Sequence, residues 1–303
     1  MINRRFFIKK TSASVLSSIF IPTYSALDQK NNKIITILHT NDVHSHIDPF
    51  PKNDISFPNA GGVIARSNLI NQIKKNNPNT LLLDAGDIFQ GTPYFNFFGG
   101  EIELKLMTKM GYSAATLGNH EFDNGIKQLS SCLKNANFPI INSNYTIKNT
   151  PLEHVIERFK IFELDGVKIG VFGIGIELQG LVEKKLYKGI KYLDPLEISN
   201  DLSHKLKNDE NCEIVICLSH LGYNLNYEKG GMCDLLLARK TKNIDLIIGG
   251  HSHTFMEKPE KVKNLLGDDV LINQVGCFGV NLGKIDFYLS SKKSKTESSL
   301  INV

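Results

Sequence analysis

Five times along this 303-residue chain an apolar run stops and is followed at once by residues of the kinds that bind metals or move protons. Ile34 to Leu38 leads into Thr40-Asn-Asp-Val-His-Ser-His46, and Leu81 to Leu83 into Asp84-Ala-Gly-Asp87. The small-residue run Ser113 to Leu117 leads into Gly118-Asn-His-Glu-Phe-Asp123, Glu213 to Leu218 into Ser219-His220, and Asp245 to Ile248 into Gly249-Gly-His-Ser-His253. Short apolar runs bounded by turn residues read as buried strands, and sheets with parallel strands gather chemistry just beyond the strand ends. A fold for this chain therefore has to bring five strand ends to one edge.

The segments between these strands supply the layers. Gly61 to Lys75, Glu101 to Met110, Ile126 to Asn135, Pro195 to Lys207 and Met232 to Lys240 read as helices, the first stopped by Asn76-Asn77-Pro78. Strands alternating with helices predict an α/β fold with a mainly parallel sheet covered by helices. Asp165-Gly166, between the apolar runs Phe159 to Leu164 and Val167 to Ile174, predicts a hairpin, so the arrangement is mixed. Pro139 to Asn142 reads as a short strand, and Val270 to Val275 and Val280 to Leu289 close the fold as strands.

Asp42 and His44 stand two apart, as do His251 and His253, and in extended chain such pairs point the same way and can share a cation. Asn119 offers a neutral oxygen, His120 a nitrogen that can ligate or move a proton, and Asp123 a partner able to fix the tautomer of His120. Asp42, His44, Asp87, Asn119, His220, His251 and His253 are too many for one tetrahedral cation but suit two that share a carboxylate. Oxygen and imidazole donors without thiolates favour Zn, Mn, Fe or Co. Two such divalent ions suit the hydrolysis of a small phosphoester.

The words Asp42-x-His44, Gly86-Asp87, Gly118-Asn-His-Glu121, Ser219-His220 and Gly250-His-Ser-His253, in this order, resemble those of the calcineurin-like metallophosphoesterases. His39-Thr-Asn-Asp-Val-His44, Asp87-Ile-Phe-Gln-Gly-Thr92, Asn119-His-Glu-Phe-Asp-Asn-Gly125 and Gly249-Gly-His-Ser-His-Thr254 point to their 5'-nucleotidase branch. The resemblance covers about residues 34 to 290 and implies a four-layer α/β/β/α sandwich with two mixed sheets. It implies that Asp42, His44, Asp87 and His253 hold one metal and that Asp87, Asn119, His220 and His251 hold the other. It further implies that His120 acts on the phosphoryl or leaving-group oxygen while Asp123 orients its ring. Nucleotides are the implied substrates, with cyclic nucleotides or nucleotide sugars as alternatives. The branch also has a C-terminal clamp whose aromatic residues sandwich the base. No counterpart follows the metal motifs here, so a separate protein supplying the substrate-binding part is expected, with Phe95, Phe97 and Phe98 as its docking face.

Residues 1–30 read as an export signal and linker, 31–290 as the metallophosphoesterase domain and 291–303 as a polar tail. Arg4-Arg5 before Phe6-Phe7-Ile8-Lys9 fits the twin-arginine type of signal, which places the mature protein in the periplasm or outside the cell. Residues 1–26 hold four basic residues and no acid, so their removal from the formal +4 leaves a neutral chain, which gives no support to binding of a nucleic-acid polymer. No stretch suits a membrane span, and five cysteines without a Cys-x-x-Cys pair read as buried apolar residues. His39 and His46 are expected to pack or to support the metal ligands, and Arg66 to form an ion pair. Tyr223, Asn224 and Tyr227 are candidates to line the cleft.

Overall fold

The computed structural model describes residues 33–225, 231–290 and 295–303; the twin-arginine segment, Tyr227, Lys292 and Lys293 lie outside them. One sheet has seven strands in the order β15-β14-β1-β2-β3-β4-β6. These are β1 (Lys33–Thr40), β2 (Thr80–Asp84), β3 (Ala114–Ala115), β4 (Ile140–Ile141), β6 (Ile156–Glu157), β14 (Asn281–Leu289) and β15 (Lys295–Asn302). The other has six in the order β12-β13-β11-β10-β8-β7. They are β7 (Phe159–Leu164), β8 (Val167–Ile174), β10 (Ile214–Ser219), β11 (Leu246–Ile248), β12 (Glu260–Lys263) and β13 (Asp269–Asn273). A two-stranded ribbon pairs β5 (Tyr145–Thr146) with β9 (Lys191–Tyr192). Each large sheet is parallel in the middle and antiparallel at one or both borders.

Alternation along the strands builds four layers. Ile35, Ile37, Leu81 and Leu83 face Ile169, Val171, Ile216 and Leu246 across the space between the sheets. The intervening Leu38 and Leu82 point the other way, onto α1 (Val63–Asn76), α3 (Glu101–Met110) and α4 (Gly125–Leu133) through Ile70, Leu104 and Leu129. Val215, Cys217 and Ile247 likewise meet α5 (Pro195–His204) and α6 (Asp234–Lys240) through Leu202 and Leu237. The result is the α/β/β/α sandwich with two mixed sheets, and its period-two strands are what let both faces be apolar. Among the described residues no helix is long and apolar enough to cross a membrane.

Several elements differ from the sequence expectation, among them the two-residue strands β5, β6 and β9. A short helix, α2 (Pro93–Phe98), starts at Pro93, and β12 forms the edge of the six-stranded sheet. The expected polar tail is corrected over residues 295–302, which form β15 antiparallel to β14. Hydrogen bonding to an open edge does not need an apolar face, so a Lys/Thr/Glu/Ser sequence can take that place. The five cysteines are free and buried.

Candidate metal centre

Parallel β1, β2 and β3 end at one edge of the first sheet, and parallel β10 and β11 end at one edge of the second. All seven candidate ligands lie just beyond these ends. Asp42, His44 and His253 each offer a donor atom within 4.8 Å of the others, and so do Asp87, His220 and His251. Asp87 lies between the groups, its Oδ2 3.0 Å from His220 Nε2 and 3.9 Å from His44 Nε2. Asn119 Oδ1 is 3.0 Å from His251 Nδ1. His44, Asp87 and His120 also come within 4.8 Å of one another.

The backbone holds these side chains in demanding positions. Asp42, His44, Asp87, His251 and His253 all have φ between 49° and 68°. This left-handed region is uncommon for residues with a Cβ and tends to collect at functional sites. Gly86 takes φ 90°, as its place before Asp87 suggests. Gly118 is needed for space, since a Cβ there would stand 2.2 Å from Asp87 Oδ1.

Hydrogen bonds then aim the rings. His44 Nδ1 donates toward the Gln90 carbonyl (3.1 Å) and His220 Nδ1 to the Ala85 carbonyl (2.7 Å), which turns both Nε2 atoms inward. Asp42 accepts the His251 backbone N–H at 2.9 Å.

This donor set fits divalent cations. His44 Nε2 and His253 Nε2 face each other at 3.0 Å, and His253 Nε2 is 3.4 Å from Asp42 Oδ1, so two ring nitrogens and a carboxylate converge on one spot. His220 Nε2 is buried beside Asp87 without hydrogen-bond geometry, a donor atom with no conventional partner. Burial disfavours charge on His220, yet Asp87 and then Asp42 prevail and push it up to about 10. Burial likewise opposes an ionised Asp87, but His220, His44 and His120 hold it well below the usual carboxylate range. His251, buried and beside His220, is lowered to about 4.

His120 sits at the rim. Its Nδ1 is 2.7 Å from Asp123 Oδ2, a bond that raises its pKa against the effect of burial and leaves Nε2 open to the cleft. The His120 backbone N–H donates to Asp87 Oδ1 at 2.9 Å, which ties its position to the centre.

Glu121 is a residue the sequence reading passed over. Its buried carboxylate accepts backbone N–H groups from Asp87 (3.0 Å), Ile88 (2.8 Å), Phe89 (3.3 Å) and Gly118 (2.6 Å), and so stitches the loops after β2 and β3 together. The only sequence signal was its place beside His120.

Other expectations sort as follows. His39 is fully buried, its pKa lowered to about 3 by that burial, and its Nε2 is 3.0 Å from the Asn273 amide nitrogen. His46 lines the cleft and donates to the His44 carbonyl at 2.9 Å. Arg66 donates to the Gly279 carbonyl at 3.3 Å and forms no ion pair among the described residues. Tyr223 turns its hydroxyl to Glu260. Phe95 is buried against Phe89, whereas Phe97 and Phe98 are 82% and 49% exposed.

Two facing sheets thus carry an Asp/His/Asn cluster where their strand ends meet, a donor set suited to divalent cations. The chain belongs to the calcineurin-like phosphoesterase family, which it matches over residues 35–255. It is 32% identical over 290 residues to the trifunctional nucleotide phosphoesterase of Bacillus subtilis, covering 85% of this chain and 18% of that protein. It is 34% identical over 276 residues to the 5'-nucleotidase of Bos taurus, covering 84% of this chain and 46% of that one. Its structure resembles the 5'-nucleotidase precursor of Thermus thermophilus with a TM-score of 0.79 and 30% identity, over 89% of this chain and 55% of that one. The chain thus spans about half or less of the length of these relatives.

Proposed function

We propose that this chain is an exported phosphohydrolase that uses two divalent metal ions to release phosphate from nucleotides. The observation that carries the reading is the position of Asp87 between two groups of convergent donors, with His120 open to the cleft beside them. Asp42, His44, Asp87 and His253 would hold one ion, and Asp87, Asn119, His220 and His251 the other. When bound, the ions would supply an activated water and charge neutralisation at the phosphoryl group. Zn, Mn, Fe and Co suit the imidazole and oxygen donors.

The chain's own residues do the rest. Asp87 and Asp42 supply the negative charge that retains cations, and the fixed His44 and His220 tautomers present nitrogen lone pairs to them. His120, oriented by Asp123, donates from Nε2 to the phosphoryl or leaving-group oxygen as charge builds there. His120 and most of the candidate ligands line an open cleft of about 600 Å³.

Nucleotides as substrates are supported by the 5'-nucleotidase relatives, and action on more than one nucleotide phosphoester by the relative named as a trifunctional nucleotide phosphoesterase. Export by the twin-arginine route rests on Arg4-Arg5 and the residues after them. A separate protein or domain closing over the substrate would find an exposed contact in Phe97 and Phe98. The test is phosphate release by the purified chain, with Mn, Zn or Co, from nucleoside monophosphates, cyclic nucleotides, sugar nucleotides and aryl phosphates. Metal-dependent release with a preference for nucleoside monophosphates is expected. No release with any metal would overturn the reading.

A further inference from the structure

One wall of the cleft is built from aromatic rings that the hydrolytic chemistry does not use. His46 stacks on Phe50, with centroids 5.0 Å apart and planes at 21°, and Phe278 lies 4.4 Å from His46 and 5.9 Å from Phe50. Phe57 extends the row, 5.3 Å from Phe50, and Phe255 stacks on Phe57 at 6.0 Å and 22°. At the inner end Phe278 is 6.0 Å from both His44 and His253, so the row starts at the candidate metal ligands and runs outward.

These rings are not a piece of the core. None of Phe50, Phe57, Phe255 and Phe278 belongs to the three apolar clusters that join the layers, and Phe255 is 49% exposed. They come from three separate loops, each tied down by its own bonds. The loop after β1 is closed by the Phe50 N–H on the Ala60 carbonyl (2.8 Å), and Asp54 Oδ1 receives the Phe57 N–H (2.7 Å). Phe278 has φ 62°, a strained state for a large side chain, and is held there by donating its N–H to the Asp42 carbonyl at 2.7 Å. A bulky residue in this conformation is a genuine outlier, and such outliers persist where function requires the side chain.

We propose that this row is a stacking shelf for the leaving group of the substrate, and that the group it takes is planar, aromatic and uncharged: a nucleobase or an aryl ring. The inference rests on the phosphoryl end lying at the metal centre, as proposed above. With the phosphate there, the remainder of the molecule extends over His46, Phe50 and Phe278. No Lys or Arg is among the described residues lining the cleft, so the leaving group is gripped by ring faces and not by ion pairs. The shelf gives this chain one of the two aromatic surfaces that the sequence reading looked for in a separate clamp.

The experiment compares kcat/KM of the metal-loaded full chain for a nucleoside 5'-monophosphate, an aryl phosphate and ribose 5-phosphate, in the parent and in Phe50→Leu and Phe278→Gly. Glycine suits the left-handed backbone at 278 and so removes the ring without adding strain. The preference for the nucleotide over ribose 5-phosphate should fall by ~5- to 100-fold in each variant, the range that loss of a stacked base commands. An equal fall with the aryl phosphate would assign the shelf to any flat ring, and a fall confined to the nucleotide would assign it to the base. An unchanged preference, or a parent with none, overturns the shelf. If the parent releases phosphate from nothing, the hydrolytic reading fails and the shelf is judged alone by saturation-transfer NMR with unphosphorylated adenosine and ribose. Transfer to the base protons in the parent but not in Phe278→Gly then supports it, and no transfer in the parent overturns it.

Discussion

His120 commits Nδ1 to Asp123 and its backbone N–H to Asp87, so the ring can serve the substrate without being needed to hold a cation. His120→Ala should therefore keep its metal while losing ~10² to 10⁴-fold in phosphate release, the usual contribution of a placed acid or base. Elemental analysis and turnover measured on the same sample check this, and a missing metal equivalent would make His120 a ligand. A second prediction concerns protons. In the metal-free site Asp87 and Asp42 outweigh the effect of burial and keep His220 protonated up to about 10, and Asp42 does the same for His253. A bound cation must displace those protons, so apparent affinity should rise with pH throughout the range below 10, by about tenfold per unit for each proton released. Titration of the chelator-stripped protein with Mn or Zn at pH 6 and pH 8 measures the slope, and a flat profile would mean that these nitrogens do not ligate.

At the scale of loops and strands, Glu121 is the fastener between the ends of β2 and β3. In Glu121→Gln one side-chain oxygen becomes an NH₂ that faces either Ile88 and Phe89 or Asp87 and Gly118, so two backbone donors lose their acceptor. A loss of about 1–3 kcal/mol per orphaned group is expected, read as a lower denaturant midpoint together with weaker metal binding. An unchanged midpoint would show that the loops hold without it. Such a residue is hard to read from sequence, because an acid that gathers amides from two loops looks the same as a solvated one. The candidate ligands were legible because each followed an apolar run, as Leu81 to Leu83 precedes Asp87. The longer elements were legible for similar reasons: Glu101 to Met110 was expected as a helix and forms one, with buried Leu104 and Met107 on one face and Gly111 at its end. Short or polar elements carried no such pattern. Glu260–Lys263 and Lys295–Asn302 are strands because a neighbouring edge was open to them, and six residues, Pro93–Phe98, are too few for a helical period to show. The aromatic shelf was hidden for another reason, since Phe50 and Phe278 lie far apart in sequence and meet only once β14 pairs with β1.

Across the whole molecule, both donor groups draw on both sheets. Asp42 and His44 follow the first sheet while His253 follows the second, and Asp87 follows the first while His220 and His251 follow the second. A cation in either group would rivet the two halves of the sandwich. At a free concentration 100 times its Kd, one bound ion adds about 2.7 kcal/mol to stability, so stripping it should lower Tm by roughly 5 °C in a chain of this size. Calorimetry with and without chelator checks this, and an unchanged Tm would mean that the folded chain holds no ion there. The last strand has a role of a different kind. β15 pairs with β14 from Asn281 to Tyr288 and places Lys295, Glu297, Ser298 and Ser299 at the border of the seven-stranded sheet. A version of the protein shortened to residue 290, the limit that apolar patterning alone suggests, would keep every candidate ligand but bare the nine-residue β14 as a raw edge. Such an edge pairs with its own kind. The shortened chain should therefore form concentration-dependent aggregates in light scattering where the full chain stays dispersed, and its poor solubility would be mistaken for a failure to fold.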